Sequence, residues 1–371
     1  MSVPQPPNQW GAQPPAGGPQ WGPPPSGAPQ WGPPSGPPPS GGGGKGKWIF
    51  GGIALLAVIA VTVVITVLVV GKDSGGSSNP TPTNGNGSDF ASANDKGPVG
   101  IITEDPTCAA WNRTANELST PEQKFKWGDR DSSIPASAWT PEQRTMYESV
   151  GQAMRSVADQ SAELAKKTPH RVMRELYEQY SAYASAFADK IPTYKSDDGP
   201  LASTADDLAS ALVNVCAAIN YGSAAAQEPL VPAAAPPTSV SSPDSSSSSQ
   251  RFLAESNPTC EKWLPAYEKF DADLKPWGES DPNVPGDQWT AEQKSVFDAA
   301  APLMTNFADK SEELGRGSGN PTFEDVAVMS AQYRRGYVRA IPTYTAADNY
   351  LASVATVLAN AIGHACMAVG A

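Results

Sequence analysis

The sequence has little histidine and little cysteine, and neither is clustered. Its 371 residues include two histidines and four cysteines, with no C-x-x-C pair. It also lacks the H-E-x-x-H, G-x-S-x-G and phosphate-loop patterns, and no G-x-G-x-x-G pattern follows a strand-like stretch, as a dinucleotide-binding site requires. These absences argue against a zinc site, a thioredoxin-type centre and the common classes of catalytic site. We therefore predict a protein that is not an enzyme and that uses no cofactor and no metal ion.

Positive charge is scarce as well. The chain has 26 Lys and Arg against 38 Asp and Glu, which gives a formal net charge of -12 at pH 7. A nucleic-acid surface needs a basic patch that neutralises phosphates, and a composition this acidic does not supply one. No nucleic-acid partner is expected.

One stretch carries no charge at all. Residues 48–71 are uncharged and mostly apolar, and they lie between Lys47 and Lys72. As a helix they would cover about 36 Å, which is enough to cross a hydrocarbon core of about 30 Å. Because 47 residues precede the stretch and no small-residue cleavage site follows it, a signal anchor fits better than a cleaved signal peptide. We predict a single transmembrane helix whose partner is the lipid bilayer.

The charges that flank this span indicate its orientation. The N-terminal side carries Lys45 and Lys47 and no acidic residue, whereas beyond Lys72 the chain becomes acidic, starting with Asp73. Lys and Arg are enriched on the cytoplasmic side of membrane spans. The protein is therefore predicted to lie in the cell membrane with a cytoplasmic N-terminus and extracytoplasmic C-terminal domains.

The N-terminal tail, residues 1–47, repeats a Gln-Trp-Gly unit around Trp10, Trp21 and Trp31 within Pro/Gly-rich sequence. Proline fixes φ and removes backbone donors, so this tail cannot build a core and is predicted to be disordered. Regularly spaced, exposed aromatic residues suit weak contacts with cytoplasmic partners. A solvated tail without a partner is an equal alternative.

Two further low-complexity stretches divide the rest of the chain. Residues 72–104 are predicted to be a flexible spacer, and residues 223–250 a Pro/Ser-rich linker. They delimit two segments, 105–222 and 251–371, each long enough to bury a core. We call these the first and the second segment, and we predict that each is an extracytoplasmic helical domain.

The two segments are predicted to be copies of one another. Residues that match lie 150 positions apart over most of their length, as in Trp139 and Trp289, or in the identical Ile-Pro-Thr-Tyr runs at 191–194 and 341–344. Upstream of the second-segment loop the offset is 152. A constant offset of this kind indicates an internal repeat, and we attribute it to a gene duplication.

Each copy is predicted to contain four helices. Thr140 is followed by Pro141 and then Gln143, which is the signature of a capped helix start, and Thr290 with Gln293 repeats it. Apolar residues then recur every three or four positions, at Tyr147, Val150, Met154, Val157 and Leu164. No alternating β pattern of useful length is present. The predicted fold is all-α: one transmembrane helix followed by two tandem four-helix bundle-like domains.

The cysteines lie near the two ends of each segment. In an up-down-up-down bundle, the start of the first helix and the end of the fourth helix meet at the same end. We therefore predict the disulfides Cys108–Cys216 and Cys260–Cys366, which an extracytoplasmic compartment permits. The alternative is four free thiols packed as small hydrophobic residues.

A long loop between the first and second helices carries two tryptophans in each copy: Trp127 and Trp139, then Trp277 and Trp289. One interpretation is structural, since tryptophan covers a large apolar area and leaves one donor to satisfy. The other is an aromatic-walled groove for a ligand or partner. These four residues are the candidate binding residues. His170 and His364 occupy non-matching positions and are predicted to have packing or surface roles.

The layout of the chain resembles the proline-rich single-pass membrane proteins of the mycobacterial and actinobacterial cell envelope. A Pro/Gly-rich tail with spaced tryptophans, one span and an Ala-rich helical exterior with paired cysteines carry this resemblance. It covers the layout of the whole chain but no diagnostic motif. It implies placement in the cell envelope, a largely unassigned function and no catalytic residues.

The function we predict is that of an adaptor or scaffold. The duplicated exterior domains would bind an envelope component, either a partner protein or a part of the cell wall. One alternative is a transmembrane sensor that couples an exterior ligand to the tail. The other is an envelope enzyme, whose catalytic carboxyl groups would be recognised by a cleft and a raised pKa.

Overall fold

A computed structural model of the chain describes residues 89–243 and 250–371. These residues form ten α-helices joined by turns and short 3-10 helices, with no β-strand among them. The all-α prediction is confirmed for this part of the chain. The predicted tail at 1–47 and the predicted span at 48–71 lie outside the described residues.

The first segment contains four long helices: α1 (Cys108–Phe125), α2 (Pro141–Ala165), α3 (Arg171–Lys190) and α4 (Gly199–Asn220). Helix α2 packs against α1 and α3, and α4 also packs against α1 and α3. The four helices therefore close around a common core. Each turns its apolar stripe inward, as amphipathic helices of a bundle do.

The second segment has the same order of long helices: α6 (Cys260–Asp273), α8 (Ala291–Arg316), α9 (Pro321–Ala340) and α10 (Asn349–Ala368). A one-turn helix, α7 (Lys275–Gly278), follows α6, and another short helix, α5 (Ser223–Gln227), follows α4. Helix α9 packs against α8 and α10, and α6 contacts both of those helices as well.

The start of the second long helix in each segment is as predicted. The Thr140 side chain accepts a hydrogen bond from the backbone N–H of Gln143 at 3.2 Å, and Gln143 accepts one from the Thr140 N–H at 2.9 Å. Thr290 and Gln293 make the same two bonds. Each pair satisfies two of the donors that a helix start leaves free.

Helices α4 and α10 join the two segments. Near the C-terminal end of α10, His364 Nδ1 lies 2.7 Å from a carboxylate oxygen of Asp207 on α4. Near its N-terminal end, Tyr350 stacks on Tyr221 with ring centroids 5.2 Å apart. The start of α4 therefore lies beside the end of α10, and the end of α4 lies beside the start of α10. The two helices are antiparallel. The described residues of both segments belong to one compact unit.

Among the described helices, Ala346–Ala368 is long and apolar enough to cross a membrane. The bent pair Ser196–Asn220 and Ser223–Leu230 meets the same criterion if it is counted as one span. Most of the first of these helices is buried inside the protein, against α4 and α9. Its composition is therefore accounted for by its place in the core.

Residues 89–104 do not form the flexible spacer predicted from their Gly/Pro content. Val99, Ile101 and Ile102 are each 6% exposed, and the Ile102 N–H donates to the Tyr333 hydroxyl of the second segment at 3.1 Å. A Cβ atom at Gly336 would lie 2.7 Å from Cδ1 of Ile101, so this close approach depends on the glycine. We call residues 89–104 the arm.

The described part of the predicted linker is packed as well. The Arg316 guanidinium donates to the carbonyl of Ala235 at 2.9 Å and to that of Pro236 at 3.1 Å. Farther along, the Thr238 N–H donates to Glu324 at 3.1 Å, and the Ser241 hydroxyl and carbonyl contact residues of α3. Residues 235–241, which we call the strap, are thus tied to charged side chains of both segments.

Candidate functional site

The cysteines pair as the sequence predicts. The sulfur atoms of Cys108 and Cys216 are 2.07 Å apart, and those of Cys260 and Cys366 are 2.04 Å apart. The first bridge ties the start of α1 to α4, and the second ties the start of α6 to α10. Each bridge stays within its own segment.

The second tryptophan of each loop covers the core. The Trp139 ring stacks on Tyr147 with centroids 4.0 Å apart, and its indole N–H donates to the Ile134 carbonyl at 2.9 Å. Trp289 stacks on Phe297 at 3.8 Å and donates to a loop carbonyl in the same way. Stacking and a satisfied donor favour the structural interpretation of these two candidate residues.

The first tryptophan of each loop is also held in place, but by different acceptors. The Trp127 indole N–H donates to Oδ2 of Asp206 at 3.1 Å. The Trp277 indole N–H donates to the hydroxyl of Tyr337 at 3.0 Å. In the first segment, the position of Tyr337 is occupied by Phe187, which has no acceptor. A carboxyl group therefore takes the place of a hydroxyl group as the acceptor.

Asp206 belongs to a group of polar residues that we call the carboxyl cluster: Glu122 on α1, Trp127 and Arg130 in the loop, Tyr180 on α3 and Asp206 on α4. The Arg130 guanidinium lies 3.6 Å from the centre of the Trp127 ring and donates to the Trp127 carbonyl at 2.9 Å. Glu122 and Asp206 are partly exposed as residues, but Oε1 of Glu122 and Oδ1 of Asp206 are buried.

The environment of this cluster favours protonated carboxyl groups. Burial raises the pKa of Asp206 to about 6, although Arg130 and the Trp127 N–H oppose the rise. Burial, followed by repulsion from Asp206, raises the pKa of Glu122 well above its usual value. When two carboxyl groups share a desolvated site, repulsion between their charges raises the pKa of at least one of them above the ordinary carboxyl range.

The neighbouring carboxylate on α4 points to the other segment. Asp207 contacts His364 on α10, and only 15% of its side chain and 10% of that of His364 are exposed. Burial raises the pKa of Asp207, whereas the histidine lowers it. His364 therefore pairs with a carboxylate across the segment interface, which fits the packing role predicted for it.

A second group of buried charges joins the arm, the strap and both segments. Arg171, at the start of α3, donates to Asp325 of α9 at 2.6 Å and to the Asp95 carbonyl of the arm at 2.9 Å. Glu175 accepts a hydrogen bond from the Ser241 hydroxyl of the strap at 2.6 Å. Burial and repulsion from Asp325 raise the pKa of Glu175. Paired charges of this kind fix how elements dock, because breaking one pair strands the other charge.

The second segment has an open groove next to its first tryptophan. The groove has a volume of about 200 Å³ and lies between α8 and the junction of α6 with α7. Its walls are mainly apolar and include Leu274, Pro276, Trp277, Val296, Ala300 and Leu303. We call it the Trp277 groove. The groove is smaller than most small-molecule pockets. Its size suits one or two apolar side chains of another molecule.

The Trp277 groove exists because two side chains on α8 are smaller than their counterparts on α2. Val296 and Ala300 occupy the positions of Met146 and Val150 on α2. Both residues of α2 are buried, and Trp127 beside them is 3% exposed, whereas Trp277 is only partly buried. Trp277 is thus a candidate binding residue that lines a groove.

Comparison with known proteins places the chain in a family. Residues 90–370 match the family described as mycobacterial ESX-1 associated protein. The chain belongs to this family. It is also 47% identical, over 330 residues, to an uncharacterized protein of Mycolicibacterium smegmatis (strain MKD8), covering 87% of this chain and 86% of that protein. No solved structure matches.

The family match begins at residue 90, within the arm, and runs through both segments. The predicted resemblance to actinobacterial proteins of unassigned function is confirmed in this coarse form. Within residues 89–243 and 250–371, no three His, Cys, Asp or Glu side chains are grouped as metal ligands would be.

The carboxyl cluster and the Arg171–Asp325 pair were not predicted from the sequence. A signal was nevertheless present in the departures from the predicted repeat. Asp206 has Thr356 as its counterpart, and Glu122 has Leu274 at the offset of 152. A charged residue that replaces an uncharged counterpart on a helix of a bundle is informative, because buried charged residues are rare.

Proposed function

We propose that this member of the ESX-1 associated family is an extracytoplasmic adaptor of a type VII secretion system. In this proposal it is anchored by residues 48–71 and binds a component of the secretion apparatus through its second segment. It carries out no reaction of its own. The family description is the observation that carries the proposal.

The cysteines support the extracytoplasmic placement. Both pairs have a geometry compatible with disulfides, and such bridges persist in oxidising compartments. The uncharged stretch at 48–71 and the lysines before it support an anchor with a cytoplasmic N-terminus. The ESX-1 association is consistent with a place in the cell envelope.

The Trp277 groove supports binding as the mode of action. An open apolar groove with an aromatic wall is typical of sites that bind one anchor side chain of a partner protein. Trp277 is held by its bond to Tyr337, so the wall is pre-formed. We propose that an apolar side chain of a secretion component occupies it.

We further propose that the segments arose by duplication and kept one scaffold for two tasks. The matched capping pairs, cysteine pairs and stacked tryptophans support a common origin. On this view, the second segment carries the contact with the partner. The first segment has its counterpart position filled by larger side chains.

The test uses Mycolicibacterium smegmatis from which the 47% identical relative has been deleted. The strain receives this chain as wild type, as Ala299→Trp, or as Ser149→Trp. Ala299 is exposed and lines the groove, and Ser149 is the corresponding residue of the first segment. We expect wild type and Ser149→Trp to restore secretion of ESX-1 substrates into the medium and Ala299→Trp to fail.

A photo-reactive residue at Ser295, on the groove rim, should cross-link to a component of the secretion apparatus in membranes. The same residue at Thr145, its first-segment counterpart, should not. If the deletion leaves ESX-1 secretion unchanged, the adaptor role is wrong. If the deletion matters but Ala299→Trp acts like wild type, only the assignment of the groove is wrong.

A further inference from the structure

We propose that the carboxyl cluster is a proton-controlled latch that holds the start of the loop of residues 127–139 on the first segment and loosens when its proton leaves. The device goes beyond the adaptor function and does not depend on it. It concerns one loop only, because the corresponding loop of the second segment is held without charges.

The cluster supplies the attachment of the start of the loop. The middle of the loop is held separately by Tyr194, whose carbonyl accepts from the Ala136 N–H at 2.9 Å and whose hydroxyl donates to the Ser132 carbonyl at 2.8 Å. The Trp127 N–H donates to Asp206, and Arg130 packs over the Trp127 ring at 3.6 Å while it donates to the Trp127 carbonyl. The Trp127 ring also meets Tyr147 of α2 edge-on, with centroids 5.1 Å apart. The start of the loop is therefore tied to α4 through a single carboxylate.

A proton is needed to complete this arrangement. The carboxyl groups of Glu122 and Asp206 lie within hydrogen-bonding reach of one another. In the described part of the chain, no donor reaches Oε1 of Glu122 or Oδ1 of Asp206, and both atoms are buried. The Tyr180 hydroxyl, on a side chain that is 0% exposed, is also without a partner beside them. A proton shared between the carboxyl groups satisfies an oxygen on each.

The ionisable groups around the pair come from the loop and from the helices that pack there. They are Glu122 on α1, Arg130 in the loop, Tyr147 on α2, Tyr180 on α3, Asp206 and Asp207 on α4, His364 on α10, and Tyr267 and Asp271 on α6. With both carboxyl groups ionised, Arg130 offsets only one of them. Asp207 already pairs with His364, and its charge adds to the repulsion on Asp206. The second negative charge is therefore uncompensated.

The direction of the effect follows from the raised pKa values. The pKa of Asp206 is about 6 in the folded protein, and that of Glu122 is raised as well. The folded state therefore holds protons that an unfolded or opened loop would release between about pH 4 and the folded pKa. The latch is closed in acid, and its contribution is lost as the pH rises through the folded pKa.

The second segment provides an internal control in the same molecule. There, Trp277 donates to the neutral hydroxyl of Tyr337. The counterparts of Glu122, Arg130 and Asp206 are uncharged: Leu274, Ser280 and Thr356. The two loops therefore have the same order of elements, but ionisable side chains hold the start of the first loop and a neutral hydroxyl holds the start of the second.

The experiment is hydrogen–deuterium exchange of the full chain at pH 5 and pH 8, with rates corrected for the intrinsic pH dependence of exchange. Peptides from 127–139 and from 277–289 are compared within each sample. We expect the corrected exchange of the first loop to be about tenfold faster at pH 8, since one unit of displaced pKa corresponds to a factor of ten. The second loop should change by less than about twofold.

Glu122→Gln should remove the pH dependence of the first loop, because a neutral amide cannot lose the proton. Asp129→Asn, which neutralises an exposed carboxylate of the same loop, should retain it. If circular dichroism shows that Glu122→Gln does not fold, Asp206→Asn replaces it and keeps an acceptor for Trp127. Equal changes in the two loops, no change in either, or a pH dependence that survives neutralisation would each overturn the latch.

Discussion

The two segments use one scaffold and differ around the first tryptophan of the long loop. In both, a cysteine pair closes the bundle and a stacked tryptophan covers the core. In the first segment, Trp127 donates to the partly buried carboxyl group of Asp206 and is shielded from solvent. In the second, Trp277 is bound to a tyrosine hydroxyl and borders an open groove.

This difference separates what the scaffold requires from what it permits. The indole N–H of the first loop tryptophan has an acceptor in both segments, and Asp206 and Tyr337 supply it from different helices. The requirement is the hydrogen bond, not the residue that accepts it. When this hydrogen bond is made, the first segment can place charged residues around it, and the second segment can leave an open groove beside it.

The largest expected effect tests the feature that the segments share. Replacing Cys108 and Cys216 by serine, or Cys260 and Cys366 by serine, should each cost about 4–5 kcal/mol of unfolding free energy. The reason is that the loops closed span 108 and 106 residues, for which the chain-entropy account gives nearly equal values. Urea unfolding of both double variants under non-reducing conditions measures this. A large loss for one pair and none for the other would mean that the segments are not equivalent scaffolds.

A smaller loss of stability is expected when the stacked tryptophans are replaced, and it should differ between the two segments. Trp139→Ala should destabilise the protein by about 3–5 kcal/mol, because the side chain is buried and stacked. Trp289 is only partly buried, so Trp289→Ala should cost about 1 kcal/mol less. Thermal or urea unfolding gives both values, and Trp139→Phe, which keeps the stacking, is the control. Unchanged stability in Trp139→Ala would favour the groove interpretation of this residue instead.

The smallest effect is the pH dependence that only the first segment should contribute at this loop. Because the folded pKa values of Glu122 and Asp206 are raised, these two groups hold more protons in the folded than in the unfolded protein between about pH 4 and their folded pKa values. Their contribution to stability should therefore fall as the pH rises from 5 to 8, and Glu122→Gln should lessen this fall. Urea midpoints at both pH values measure this, with Glu117→Gln as an exposed control on α1. A slope that is identical in wild type and Glu122→Gln would contradict it.

Local patterns allowed much of the helical framework to be predicted. Thr140 and Thr290 mark helix starts because the capping box is made within four consecutive residues. The cysteine pairs follow from which helix ends meet in a bundle. Pro121 shows a limit of such rules: a proline usually ends a helix, but α1 continues through Pro121 to Phe125, since one missing N–H does not end a helix that packs on α2.

The contacts between segments could not be predicted in this way. Helical periodicity identifies a buried face but not the element that covers it. Asp206 and Asp207 are adjacent, yet one faces Trp127 and the other faces His364. The arm was missed for a similar reason, because three apolar residues within Gly/Pro-rich sequence form no periodic pattern. Their burial depends on a surface of the second segment that is far away in the chain.

The separate closure of the two segments decides how the molecule responds to a protease. A cut anywhere between Cys216 and Cys260, for example beside Leu230, which is 57% exposed, leaves two fragments with no covalent link. The antiparallel helices α4 and α10 would still hold these fragments together. A nicked sample should therefore elute as one particle in gel filtration and separate into two bands on a non-reducing denaturing gel. The covalent unit of this protein is the single segment, whereas its folded unit is the pair.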